Sequence, residues 1–128
     1  MLKIATMIMR LSEDLRKRTT NYASGIIRFY VKLPKAREEV RVLGKQLLRS
    51  GTSVAAHARE AARARSNSEF CSKLAGLLQE ADESQLWLEL LRNDCGIVGD
   101  TMDYLWRETD ELLAIFTRMV SKLRKSGA

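Results

Sequence analysis

The sequence predicts an all-α protein folded as an antiparallel up-down-up-down four-helix bundle. Apolar residues recur at three- and four-residue spacing through most of the 128 residues, as on one face of a helix. A single proline, Pro34, and seven glycines supply too little turn punctuation for an all-β chain. No run of alternating apolar and polar residues offers a strand.

Four segments carry the helical spacing. Leu11, Leu15, Tyr22, Ile26, Phe29 and Leu33 share one face of a helix over about 10–33, which Pro34 ends by pushing the residue before it out of the α region. Val40, Leu43, Leu47, Val54 and Ala61 mark a second helix over 36–64. At 63–70, RARSNSEF holds Ser66 and Glu69 in the Ser-x-x-Glu order of a capping box, which opens a third helix over 66–95. That helix buries Phe70, Leu74, Leu77, Leu78, Ala81, Trp87, Leu88 and Leu91, and stops between Asn93 and Gly99, where Gly96 and Gly99 suit a C-cap and short loop. The fourth, over 100–125, carries Met102, Leu105, Thr109, Leu112, Phe116, Met119 and Leu123 and ends at Ser126-Gly127. Short connections between long amphipathic helices fold them back on one another.

A chain of this length forms one domain, 1–128, with a core that needs no disulfide or structural metal. Cys71 and Cys95 stand 24 residues apart outside any Cys-x-x-Cys pattern, which suits reduced thiols in a cytoplasmic protein. The opening MLKIATMIMR is apolar but shorter than a membrane span and has no cleavage site, so it is expected to be the frayed start of the first helix, with Met7 or Met9 as alternative start residues. No membrane partner is expected.

Net charge is +6, spread unevenly. Residues 1–65 hold 15 Lys/Arg against 5 Asp/Glu, and residues 66–128 hold 7 against 11. A basic half of this kind suits a polyanion such as RNA or DNA, or the acidic half of a neighbouring subunit.

Residues that could carry catalysis are few. His57 is the one imidazole, and with Glu60 three residues on it is the sole support for an enzyme; it reads more simply as a polar residue on the small-residue side of helix two. No ligand spacing for a metal surrounds it, and the Glu-x-x-His motif of di-iron bundles is missing. Neither catalytic residues, a metal nor a cofactor is expected.

Binding residues are better represented. Arg37, Arg41, Lys45 and Arg49 recur every fourth residue as a positive ridge, to which Arg16, Lys17, Arg18, Arg28 and Lys32 and the carboxyl-terminal Arg118, Lys122, Arg124 and Lys125 add charge. Such a ridge reads either as a phosphate-backbone site or as a solvated face, with little aromatic interleaving to stack bases. Ser50, Gly51, Ser53, Ala55 and Ala56 form a small-residue seam, for tight packing within the chain or against a subunit. Glu60, Glu69, Glu80 and Glu83 are partners for cations within the chain or across an interface, and Trp87 is a core or interface anchor.

In order along the chain stand Gln46-Leu47-x-Arg49-Ser50-x-x-Ser53, Arg59-Glu60-Ala61, Glu69-Phe70, Lys73-Leu74 and Glu80-Ala81-x-Glu83-Ser84-x-x-Trp87-Leu88. This order resembles the four-helix bundle proteins of the 23S ribosomal RNA intervening-sequence family, small bacterial proteins encoded within insertions in 23S rRNA genes. The resemblance runs from about Asn21 to Leu123. At His57-Ala58 the chain departs from it, since the family usually has Asn followed by Tyr or Ile. The resemblance implies a ring-like homopentamer with no enzymatic activity, and kinship to the accessory variability proteins of diversity-generating retroelements, in which a basic pentamer contacts nucleic acid and a partner protein. Set on such a ring, Arg59, Glu60, Glu80, Glu83 and Trp87 are the expected subunit contacts, and Arg37, Arg41, Lys45 and Arg49 the expected nucleic-acid contacts. The expected function is RNA or DNA backbone binding by a non-enzymatic homo-oligomer. The alternative is a protein-interaction scaffold that uses its charged faces between subunits.

Overall fold

The computed structural model describes residues 11–125 as four α-helices: α1 (Glu13–Val31), α2 (Glu38–Ala62), α3 (Asn67–Asn93) and α4 (Asp100–Lys125). The opening MLKIATMIMR and the expected stop at Ser126-Gly127 lie outside the described residues.

The helix ends follow local chemistry. Ser12 caps α1 by accepting the Leu15 N–H at 3.2 Å, with Glu13 and Asp14 at the positive end of the helix dipole. α1 stops at Val31, two residues short of the expected end, because Lys32 and Leu33 turn inward to bond the Phe29 and Tyr30 carbonyls ahead of Pro34. The carbonyls of Val31 and Leu33, and that of Tyr30 a second time, accept from the Lys35 ammonium. Ser66 caps α3 by accepting the Glu69 N–H at 3.0 Å. The reciprocal arm reaches one residue further than a capping box requires, since the Glu69 carboxylate takes the Arg65 N–H at 2.7 Å. Gly96 and Gly99 adopt φ of 73° and 132° in the α3–α4 loop, values that a Cβ would strain.

Cross-helix neighbours fix the topology. Ile26 of α1 and Leu33 just past its end lie against Gly51 and Gly44 of α2; Arg49 and His57 of α2 meet Glu83 and Gly76 of α3; Gln85 and Glu89 of α3 meet Asp110 and Trp106 of α4; and Arg18 of α1 meets Glu108 of α4. Numbering falls on one helix as it rises on the next, so neighbours are antiparallel. The helices close in the order α1-α2-α3-α4, with α1–α4 the thinnest seam. Side chains including Ile26, Leu47, Val54, Phe70, Leu77, Leu88, Leu105, Leu112 and Phe116 are fully buried between them. Leu15, Leu43, Leu78, Trp87 and Met119 share the apolar spacing but sit at its margin, half-buried.

One polar layer crosses this core. Tyr22, Ser50, Ser84 and Thr109, one from each helix, are all buried. The Thr109 hydroxyl donates to the Leu105 carbonyl at 2.6 Å, so the bond of 2.6 Å between the Tyr22 and Thr109 hydroxyls has tyrosine as donor. Ser84 donates to the Glu80 carbonyl at 2.9 Å, and Ser50, whose contact to the Leu47 carbonyl is longer at 3.5 Å, donates to Ser84 at 2.7 Å. Polar groups satisfied only in one alignment of four helices fix register.

Candidate nucleic-acid interface

The charge split read from the sequence becomes two opposite sides of the bundle. α1 and α2, adjacent in the ring, form a basic hairpin, and α3 and α4 carry most of the acid. Ion pairs stitch the two hairpins together at both seams. On the α1–α4 side Arg18 donates to both oxygens of Glu108, at 2.7 and 2.8 Å, and also to Glu111. These carboxylates push the Arg18 pKa further up, against a smaller opposing effect of burial. On the α2–α3 side Arg49 reaches Glu83 at 2.7 Å and Glu80 at 3.4 Å, and Lys73 reaches Glu60 at 3.4 Å.

The expected positive ridge is divided by these partners. Arg37 donates to Glu39 and, at 2.9 Å, to the Cys95 carbonyl in the α3–α4 loop. Arg41 pairs with Glu38, and Arg49 with Glu80 and Glu83. Lys45 is exposed and shows no carboxylate partner among the described residues. Geometry explains the division. Each four-residue step on an α-helix overshoots a full turn by about 40°, so Arg37 and Arg49 point about 120° apart. Arg37, just ahead of the helix, reaches the α3–α4 loop, and along α2 the ridge turns toward the α3 side, where Arg49 meets Glu80 and Glu83.

The expected subunit contacts are likewise split. Glu80 and Glu83 meet Arg49, and Glu60 meets Lys73, all within the chain. Trp87 packs half-buried against the core with its indole N–H buried and unbonded. Gly51 serves close packing within the chain, since a Cβ there would stand 2.9 Å from Cγ1 of Ile26. Arg59 alone of the five stays exposed without a carboxylate partner among the described residues.

Arg59 lines a groove of about 440 Å³ between α1 and α2, which brings together Arg16 and Lys17 from the start of α1 with Arg59 and Arg63 from the end of α2. Thr20 and Asn21 add hydrogen-bonding groups, and Glu13 is its one carboxylate. All four cations are exposed, and none shows a carboxylate partner among the described residues. The sequence signal for this cluster is the spacing of acids rather than of bases. Asp and Glu are missing from 15–37 and again from 40–59, stretches that hold Arg16, Lys17 and Arg59, while Arg63 lies just past Glu60.

His57 lies away from that groove, with its ring over Gly76, where a Cβ would come within 2.8 Å of Cε1. Its Nδ1 is 3.5 Å from Glu60 and makes no hydrogen bond. Among the described residues no three of His, Cys, Asp and Glu converge as a metal site, and both cysteines are free thiols.

The sequence pattern of the 23S rRNA-intervening sequence protein family matches residues 12–118. The chain belongs to that family. The intervening-sequence fold is also seen in a solved structure, that of a protein of unknown function from the S23 ribosomal protein family of Bacteroides thetaiotaomicron VPI-5482. It is 31% identical, with a TM-score of 0.74 over 82% of this chain and 96% of that one. No curated protein matches the chain. Among the described residues of this family member no helix is long and apolar enough to cross a membrane.

Proposed function

We propose that this intervening-sequence protein is a non-enzymatic, cytoplasmic homo-oligomer that binds the phosphate backbone of RNA or DNA through the basic side formed by α1 and α2. The observation that carries the reading is the α1–α2 groove, in which Arg16, Lys17, Arg59 and Arg63 face one carboxylate and spend no charge on ion pairs among the described residues. Cations paired within the fold gain little by meeting a phosphate, because they exchange one anion for another. Unpaired cations gain the full attraction and release the counterions condensed on the nucleic acid. Lys45, further along α2, extends the same side.

Two features support a non-enzymatic role. The ring of His57 packs over Gly76 away from the cations, and the groove that gathers them contains neither a nucleophile paired with a base nor a buried acid. Homo-oligomerisation, as a pentamer, is what the family resemblance implies, and it agrees with basic and acidic sides placed on opposite hairpins, which a head-to-tail ring can bring together.

That agreement also favours a second reading, a scaffold in which the charged faces are consumed between subunits. On the outer side of α3, Asp82, Glu83 and Glu89 surround Leu86, which is 46% exposed. This acidic, partly apolar strip complements the basic groove. A salt titration of binding to a generic RNA separates the readings, when combined with light scattering on the free protein. Backbone binding predicts a loss of affinity of about a hundredfold between about 50 and 200 mM salt for four to five phosphate contacts. The scaffold predicts an oligomer without RNA affinity at low salt.

A further inference from the structure

We infer that the nucleic acid is single-stranded, and that Tyr104 with Arg28 and Lys32 forms a subsite for one unpaired nucleotide at the far end of α1. The inference rests on the backbone-binding reading above and is carried by a different groove. Between the second half of α1 and the start of α4 lies a cleft of about 430 Å³ with no carboxylate in its lining. Phe29, Ile97 and Val98 supply apolar wall, and Val98 is 75% exposed. Tyr104 stands at the same cleft, 50% exposed, an unusual place for an aromatic ring in a chain whose other large rings are turned further inward.

Arg28 in the last turn of α1 and Lys32 at its C-cap sit about one turn apart at this cleft, exposed and without a carboxylate partner among the described residues. A half-exposed ring beside two unpaired cations is the pairing an unstacked nucleotide requires. The ring offers a face to the base, and the cations meet the phosphate. A base inside a duplex is stacked on both sides and offers no such face, so the cleft selects single strands. Asp100 and Asp103, close to Tyr104 in sequence, are not among the residues that line the cleft.

The two grooves lie on either side of α1, which lines both. Lys17 lines the first, Arg28 and Lys32 the second, and Asn21 lies between on the outer face of α1. Fifteen residues of helix separate Lys17 from Lys32, about 22 Å at 1.5 Å per residue. A short strand laid along α1 meets phosphate-binding groups at both ends and an aromatic platform at one.

The test compares a single-stranded RNA of mixed sequence with a duplex of equal length, using the full chain and the variants Tyr104→Ala, Tyr104→Phe and Arg28→Ala/Lys32→Ala. Tyr104→Ala is expected to weaken single-strand binding about tenfold and to leave duplex binding unchanged. Tyr104→Phe keeps wild-type affinity, because stacking needs the ring and not the hydroxyl, and the double cation variant loses single-strand affinity. Unchanged single-strand binding by Tyr104→Ala overturns the subsite, as does an equal loss for both RNAs or a loss in Tyr104→Phe as large as in Tyr104→Ala. If those results come with salt-dependent RNA binding by the wild type, backbone binding stands and the subsite alone fails. A wild-type protein that binds neither RNA overturns both.

Discussion

The Tyr22 hydroxyl donates to the Thr109 hydroxyl at 2.6 Å across the thinnest seam of the bundle, with the Ser84 hydroxyl beside it. Burial, the largest influence on this phenol, disfavours its charged form and outweighs the hydroxyl contacts, so its pKa is pushed up to about 12. A phenol whose folded value is raised binds its proton more tightly in the native state. The stability it contributes is therefore complete below the ordinary tyrosine value of about 10 and is lost as pH rises through about 12. Tyr22→Phe is expected to cost about 1 kcal/mol at neutral pH through the lost hydrogen bond. It should also remove a decline on the order of 2–3 kcal/mol between about pH 10 and 12. Urea denaturation of both proteins across that range checks this, and parallel pH profiles would contradict it.

Gly51 and Gly76 look alike in sequence but face different neighbours. A Cβ at Gly51 meets Cγ1 and Cγ2 of Ile26 at 2.9 and 3.0 Å, and Ile26 is fully buried and branched at Cβ, with nowhere to turn. At Gly76 the obstruction is the His57 ring, the end of a partly exposed side chain that can swing outward. Gly51→Ala is expected to destabilise by about 1–3 kcal/mol despite a helix-propensity gain of about 1 kcal/mol. Gly76→Ala should be close to neutral. Thermal unfolding of the two variants side by side reads the difference.

The two seams should differ in strength. Arg18 holds Glu108 with two parallel bonds at a site where the carboxylate is 11% exposed, whereas the Arg49 side chain is 53% exposed. Double-mutant cycles are expected to give about 1–2 kcal/mol of coupling for Arg18 with Glu108, and less than about 1 kcal/mol for Arg49 with Glu83. Equal couplings would contradict this difference, and couplings near zero at both seams would mean that the hairpins are held by burial of apolar surface alone.

The α3 cap has an acid signature. The Arg65 backbone N–H, and then its guanidinium, hold the Glu69 carboxyl below its usual range. A lowered folded value means that the contribution is present above the ordinary glutamate value of about 4.3, and is lost as pH falls through the lower folded one. Glu69→Gln should flatten that acidic stretch of the stability profile. A carbon-detected titration of wild-type Glu69 should show it ionising at lower pH than a free glutamate.

Much of the fold was legible because helix spacing and caps are local. Ser66 with Glu69, Pro34, and the apolar residues from Tyr22 to Leu123 act within one or two turns, and a sequence displays such neighbours directly. Helix bounds differed by a few residues where Lys32 and Leu33 closed α1 with tighter bonds. The polar layer was not legible, because Tyr22 and Thr109 are 87 residues apart and Ser84 gives no sign of facing Ser50. The basic site was legible in charge but not in place. Four-residue spacing made Arg37, Arg41, Lys45 and Arg49 look like one ridge, yet it rotates about the helix. Arg49 therefore meets the acids of α3, while Arg59 and Arg63 meet Arg16 and Lys17 only because α1 and α2 run antiparallel.

In the proposed function, the α1–α2 groove cations, which have no carboxylate partner among the described residues, hold nucleic acid. The most direct measurement is the dependence of RNA affinity on salt for the wild type, for Arg59→Ala/Arg63→Ala, and for Arg49→Ala as a control that is paired within the chain. Each lost phosphate contact lowers the slope of log affinity against log salt by close to one. The groove variant should bind more weakly at low salt with a slope smaller by about 1.5–2, while Arg49→Ala should stay near the wild type. A groove variant with wild-type affinity and slope would contradict the account.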